Sequence, residues 1–215
     1  MNTRILILAL IVIVSVIGVS VSLSPSESQV PSNFDTEYEY EIDFAYSDID
    51  TFKDLLATKE IYMSSPTEIT DYTVDQYCTF FDNKDKQKFV KYCATTALLD
   101  SDGKPLGNFN MGGDPEESTM ALVILEISPF LDSKEKEIDF ILTAMIDTFV
   151  CDCWDDLKPG GFDSVEHWLD VTQKQYAESE KKSIKSKVNG LDGKQVILEI
   201  SSNEKSFLWV LVVAK

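Results

Sequence analysis

Beyond its fourth residue the chain has no arginine, and it has a single histidine, His167. The first shortage removes the planar guanidinium fork that grips phosphate or carboxylate in two places at once. Residues 24–215 set 18 lysines against 37 aspartates and glutamates, a balance of −19, so nucleic acid, anionic substrates and anionic lipid surfaces are repelled. The plain use of so much acid is solubility and mutual repulsion. The second shortage narrows catalysis. A Ser-His-Asp arrangement has only His167 to draw on, and no Gly-x-Ser-x-Gly elbow accompanies it. A Cys153–His167 dyad requires free thiols. Dinucleotide and phosphate-loop fingerprints are missing, and Gly112-Gly113-Asp114 reads as a turn without a cation. Glycosidase chemistry needs two carboxylates, which so acidic a chain neither supports nor excludes. No catalytic signature emerges, and a non-enzymatic role is the expectation.

What is present begins with Ile5 to Leu23, 19 consecutive uncharged and almost wholly apolar positions. At ~1.5 Å per helical residue they reach roughly 28 Å, about a bilayer core. Ile and Val dominate, a bias poor for a soluble helix and harmless in lipid. Arg4 precedes the stretch and Glu27, Asp35 and Glu37 follow it, which places the N-terminus in the cytoplasm and the remainder outside. The competing reading is a cleaved signal peptide, with Ser20 and Ser22 at an acceptable spacing and secretion as the outcome. The stretch exceeds the ~7 to 15 residues of an ordinary signal core, so a single-pass membrane anchor through residues 5–23 is preferred. Residues 24–33 (SPSESQVPSN) then form a Ser/Pro-rich linker.

Residues 34–215, with 44% of the whole chain apolar and 11% aromatic, suit one well-buried domain. Glu37 to Phe44 (EYEYEIDF) alternates acid with Tyr38, Tyr40, Ile42 and Phe44, the period of a strand with one buried and one carboxylate face. The acids read as a solvated face rather than a cation ladder. A short helix is expected near Asp50, turning Phe52, Leu55 and Leu56 inward. Thr73–Phe81 and Lys88–Leu99 look like strands about a polar turn, DNKDK, although the first also suits a helix. Asp100-Ser101-Asp102-Gly103 marks a hairpin rather than a calcium loop, which lacks its third ligand and closing Glu. Met120–Ile127 is apolar enough for a central strand. From Asp132 a capped helix puts Ile138, Ile141, Leu142, Met145, Ile146 and Phe149 on one face, and Lys158-Pro159-Gly160-Gly161 stops the run. A second helix, boxed by Asp163 and Glu166, follows with Val165, Trp168, Leu169, Thr172 and Tyr176. Strands at Ile184–Val188, Gln195–Ile200 and Phe207–Val213 complete a meander whose last member is central. The expected class is α+β: a mostly antiparallel sheet with helices packed on one side, preceded by a transmembrane helix.

Four cysteines, Cys78, Cys93, Cys151 and Cys153, make an even count suited to disulfides in an oxidising compartment. Cys78–Cys93 would join neighbouring strands and close a loop worth about 3 kcal/mol. Cys151–Cys153 would then close a small, strained and reducible ring. Cross-pairing between the two couples remains the alternative. Cys151, Cys153 and His167, with Met111, Met120 and Met145 as further soft donors, form a set that suits copper as Cu(I); no zinc spacing is present. His167 on an amphipathic helix reads equally as a surface residue. The loop Trp154 to Phe162, with Pro159, Gly160 and Gly161, is the segment expected to meet a cell-envelope protein partner.

The segments YCATTALLDSDGKPLGN (Tyr92–Asn108) and CDCWDDLKPGGF (Cys151–Phe162) resemble a group of uncharacterised exported proteins of ammonia-oxidising archaea. The resemblance implies an archaeal cell surface with copper-dependent metabolism nearby, and no site residues. SVEHWLD followed by VNGLDGKQVILEI is also similar to PsbP-like α/β sandwiches, a pattern from which the preceding helix and the Cys-x-Cys segment depart. Together these readings give a membrane-anchored extracytoplasmic domain with a binding or structural role, or alternatively a copper-handling or thiol-redox role through Cys151 and Cys153.

Overall fold

The structure, a computed structural model, describes residues 45–70, 73–81, 83–127, 135–179, 183–191, 193–202 and 206–215. The apolar stretch 5–23, the linker 24–33, the strand expected at 37–44 and the cap at Asp132 lie outside the described residues.

Apolar periodicity accounts for most of the elements. Helix α1 (Asp48–Ala57) buries Ile49, Phe52 and Leu56 at a helical spacing. Two short strands follow, β1 (Tyr62–Met63) and β2 (Thr67–Thr70). Next come two single-turn helices, α2 (Val74–Tyr77) and α3 (Lys84–Gln87). The central hairpins are β3 (Tyr92–Leu99), β4 (Pro105–Gly113) and β5 (Ser118–Ile127). Helices α4 (Glu135–Phe149), α5 (Trp154–Leu157) and α6 (Val165–Glu178) lead to β6 (Ser183–Leu191), β7 (Lys194–Ser202) and β8 (Phe207–Ala214). The chain is thus α+β, and every described strand pair is antiparallel.

The strand order is β1-β3-β4-β5-β8-β7-β6, with β2 also on β3. Two meanders, β3-β4-β5 and β6-β7-β8, are therefore sewn together by the β5–β8 pairing. The run α4–α6 carries the chain across the sheet from the middle to the far edge. β5 and β8 are both interior, as their apolarity requires. All six apolar positions read onto the long helix, Ile138 through Phe149, are at most 2% exposed. They pack with α1 and α6 on one face of the sheet, against Phe109, Met111, Val123, Leu198 and Leu211.

Four sequence expectations need correction. Of the two readings open for Thr73–Phe81 the helix holds, as α2, and the turn expected at DNKDK runs into α3, because the Asn83 side chain accepts from the Asp85 and Lys86 amides and caps a turn of helix. The following strand starts only at Tyr92. Helix α6 is capped by Ser164, whose Oγ accepts from the His167 amide at 3.1 Å, rather than by Asp163. The helices do not all share one side. Cys93 points away from the main core, and Val74, Cys78 and Val90 gather around it with Ile69, Phe80 and Phe81, so α2 and its neighbours form a second, smaller core on the opposite face. The hairpin at Asp100 stands as read: its carboxylate accepts from the Asp102 and Lys104 amides at 3.0 and 2.8 Å, and Gly103 takes the left-handed conformation.

Two glycines separate backbone from side-chain tolerance. A Cβ on Gly107 would lie 1.9 Å from the Ile124 carbonyl oxygen, whereas one on Gly112 would meet the Phe80 ring edge at 2.5 Å. A ring can swing and a central strand cannot. Gly107→Ala is expected to cost more than about 3 kcal/mol and Gly112→Ala about 1–2, on the scale of overpacking; urea denaturation of the two variants reads the difference, and equal costs would contradict the close β4–β5 approach.

Candidate functional site

Helix α4 delivers the chemistry-bearing residues to one corner. Its last turn ends at Phe149, and the Val150 and Cys151 amides both return to the Ile146 carbonyl at 2.8 and 3.3 Å. Cys151 and Cys153 follow immediately, are bonded to each other, and lie with Cα atoms 5.1 Å apart. Both are half-buried against the main core. Cys78 and Cys93 form the other pair, with Cα atoms 6.1 Å apart, and are 0% and 2% exposed. Cys78 ends α2 rather than a strand, so this bond staples a helix end to β3. No free cysteine occurs among the described residues.

The corner is acidic. Asp152 in the ring, Glu166 on α6 and Asp155 on α5 stand close enough to Asp147 on α4 to repel its charge. Partial burial, then repulsion from Asp152, Glu166 and Asp155, pushes the Asp147 carboxyl up to about 6. Asp147 is nonetheless exposed, so solvent screening discounts the energetic consequence.

Sequence reasoning missed one cation at this corner. Lys194, at the start of β7, is 2% exposed, and its Nζ donates to the Val150 carbonyl at 3.1 Å. An ammonium at the C-terminal end of a helix meets the negative end of its dipole. The signal was available in the strand phase: Lys194, Val196, Leu198 and Ile200 share the inward face of β7.

The segment 154–162 closes the corner. Trp154 is 4% exposed, its Nε1 donates to the Phe162 carbonyl at 3.2 Å, and its ring lies 5.6 Å from that of Trp168. Pro159 is buried too. The exposed part consists of Asp155, Asp156, Leu157, Lys158, Gly160 and Gly161. Phe162 is half-buried and meets the exposed His167 ring edge-on at 5.7 Å. The aromatic side chain chosen from sequence as the partner contact is therefore a core residue, and Leu157 is the large apolar side chain this segment presents to solvent, at 49% exposure.

For metal, the two sulfurs of Cys151 and Cys153 are joined to each other. Among the described residues no group of three or more His, Cys, Asp or Glu is placed to hold an ion. Met111, Met120 and Met145 are at most 1% exposed. Met111 and Met145 pack within the main core, and Met120 pairs with Gly112. Among the described residues no helix is long and apolar enough to cross a membrane. No protein-family model, no curated protein and no solved structure matches the chain.

Two outcomes follow from this geometry. Because one disulfide is half-exposed and the other sealed, mild reductant under native conditions is expected to open Cys151–Cys153 first; differential alkylation and mass spectrometry measure it, and simultaneous opening would contradict the burial difference. Asp147 holds its proton more tightly folded than unfolded, so its contribution is present at pH below 4 and is lost as pH rises through about 6. Asp147→Asn should raise the melting temperature at pH 8, by less than about 1 kcal/mol equivalent after screening, and leave it unchanged near pH 3.5.

Proposed function

We propose that the chain is a membrane-anchored extracytoplasmic domain that works without catalysis, as a binding or structural protein at a cell surface. The observation that carries this reading is the closure of all four cysteines into two pairs, the state an oxidising compartment maintains. The apolar stretch 5–23 supplies the route out of the cytoplasm and the anchor, with secretion after cleavage as its variant. The acidic, arginine-free exterior favours a protein partner over nucleic acid. The resemblance to exported archaeal proteins points the same way. The contact surface is the outer rim of the α5–α6 connection, where Leu157 stands exposed beside Gly160 and Gly161.

The half-exposed Cys151–Cys153 ring favours a second reading, a thiol-redox centre. Two electrons and two protons from a dithiol donor would open it to two thiols, and the opened pair would suit Cu(I), with His167 as a further donor. The carboxylates around it oppose a thiolate, the nucleophilic form needed for fast exchange, which ranks this reading second.

The two readings separate in one preparation. Full-length protein, expressed without added reductant, should fractionate with membranes and show no titratable thiol and no bound copper. Leu157→Asp should release it from its envelope partner at unchanged thermal midpoint, whereas Trp154→Ala should unfold it, costing about 3–5 kcal/mol. Cytosolic fractionation with four reduced thiols would sink the location; two titratable thiols with stoichiometric copper would promote the redox reading.

A further inference from the structure

One edge of the sheet is long, regular and open. β6 ends the strand order, and among the described residues the backbone hydrogen bonds of Ser183–Val188 run only to β7. The opposite edge differs, because β3 is covered there by β1 and β2, strands of 2 and 4 residues. Very short edge strands are one way a sheet avoids unwanted pairing. β6 has 9 residues, and Ser183 to Val188 pair with Ser201 to Val196 without a register shift, so a regular row of amides and carbonyls faces outward. Side chains alternate along it. Ser183, Lys185 and Lys187 are exposed, whereas Ile184 and Ser186 are half-buried and Val188 is buried. The Trp168 Nε1 donates to the Ser186 hydroxyl at 2.7 Å, which holds the strand to α6 from the core side. Charge is reversed locally as well: residues 181–187 hold four lysines and no acid in a chain of net charge −18. Lys185 is paired with Glu199 at 3.1 Å. Lys187 stands across from Ile197 and makes no ion pair among the described residues.

We infer that the outer edge of β6 receives an extended acidic segment of the partner protein, added to the sheet as a further strand with carboxylates opposite Lys185 and Lys187. The inference deepens the reading above and rests on it for the existence of a partner. Strand addition draws affinity from main-chain hydrogen bonds and specificity from alternate side chains. The alternate set here is cationic, and opposite charges on facing strands attract while like charges repel. At physiological salt the screening length is about 8 Å, so an adjoining strand responds to these lysines more than to the acid on other surfaces of the domain. The same lysines exclude a second copy, because two β6 edges laid side by side would crowd them on one face. The other face of the added strand adjoins the proposed contact rim. There α5 and the turn Pro159–Gly161 pack beside β6, and a Cβ on Gly160 would touch the Val188 side chain at 3.4 Å. The partner segment therefore alternates carboxylates with apolar residues, the latter on the side of Leu157.

Hydrogen exchange of the full-length chain in detergent micelles tests the inference, with a synthetic peptide of alternating Glu and Val as the probe and one of alternating Lys and Val as the control. The acidic peptide should slow exchange across residues 183–188 several-fold, and the basic peptide should leave it unchanged. Lys187→Glu should abolish that preference at an unchanged thermal midpoint, since Lys187 faces Ile197 rather than an acid. Exchange unaltered by the acidic peptide, equal slowing by both peptides, protection confined to other elements, or a preference that survives Lys187→Glu would overturn it. Self-association of the chain with protection of the same residues would overturn it too. Envelope association separates the inference from the reading it rests on. Lys187→Glu should weaken that association, as Leu157→Asp does. Loss on Leu157→Asp alone would remove the added strand and keep the rim, whereas a wild-type chain that meets no envelope partner would remove the rim while the peptides still decide the edge.

Discussion

Three phenyl rings, Phe52 from α1, Phe109 from β4 and Phe149 from α4, meet at centroid separations of 4.9, 5.5 and 5.2 Å. All three are fully buried. Aromatic clusters of this kind join large apolar area to specific ring geometry, and here the cluster ties the two long-range partners of the sheet to each other. Helix α1 comes from the start of the described fold and α4 from its middle. The position of α4 over the sheet sets where its last turn ends, and hence where Cys151, Asp147 and the carbonyl bound by Lys194 are presented. The acidic corner is thus a consequence of core packing in the adjoining last turn of the helix.

Much of this arrangement was legible in the order of residues, wherever an apolar pattern ran long enough to establish its period. The helical spacing from Ile138 to Phe149 and the unbroken run from Met120 to Ile127 survive intact. So does the interior placement of Phe207–Val213, because a strand apolar on both sides has to be covered on both edges. Period fails where elements shrink to a single turn. Val74–Tyr77 and Lys84–Gln87 are too short to show a face, and their stability comes from outside: the Asn83 cap, the Gln87 side chain accepting from the Phe80 and Phe81 amides, and the Cys78–Cys93 bond. Those are tertiary facts. The same limit hid the second core: strand alternation sends Cys93 and Ala94 to opposite faces, but single-turn elements gave no sign that the Cys93 face would be covered.

The acidic corner was legible in composition and illegible in orientation. Cys-x-Cys, a tryptophan and two glycines look like a surface loop, and the two cysteines are indeed only half-buried. Trp154 was misjudged because an indole beside glycines can turn either way; its N–H found the Phe162 carbonyl inside. Lys194 erred in the opposite direction, a charged residue that reads as exposed and is drawn inward by a helix end needing a donor.

The strand order has a consequence for how the molecule is made. A ribosome releases β3, β4 and β5 first, but the edge that β5 offers is filled by β8, the last strand of the described fold. Until Phe207–Ala214 emerges, Val123, Leu125 and their neighbours have no partner on that side, and the whole C-terminal meander has nothing to attach to. The edge of β5 therefore stays unpaired from its own completion at Ile127 until β8 begins at Phe207. Over that interval the net charge of −18 on the whole chain sets like-charged copies against one another.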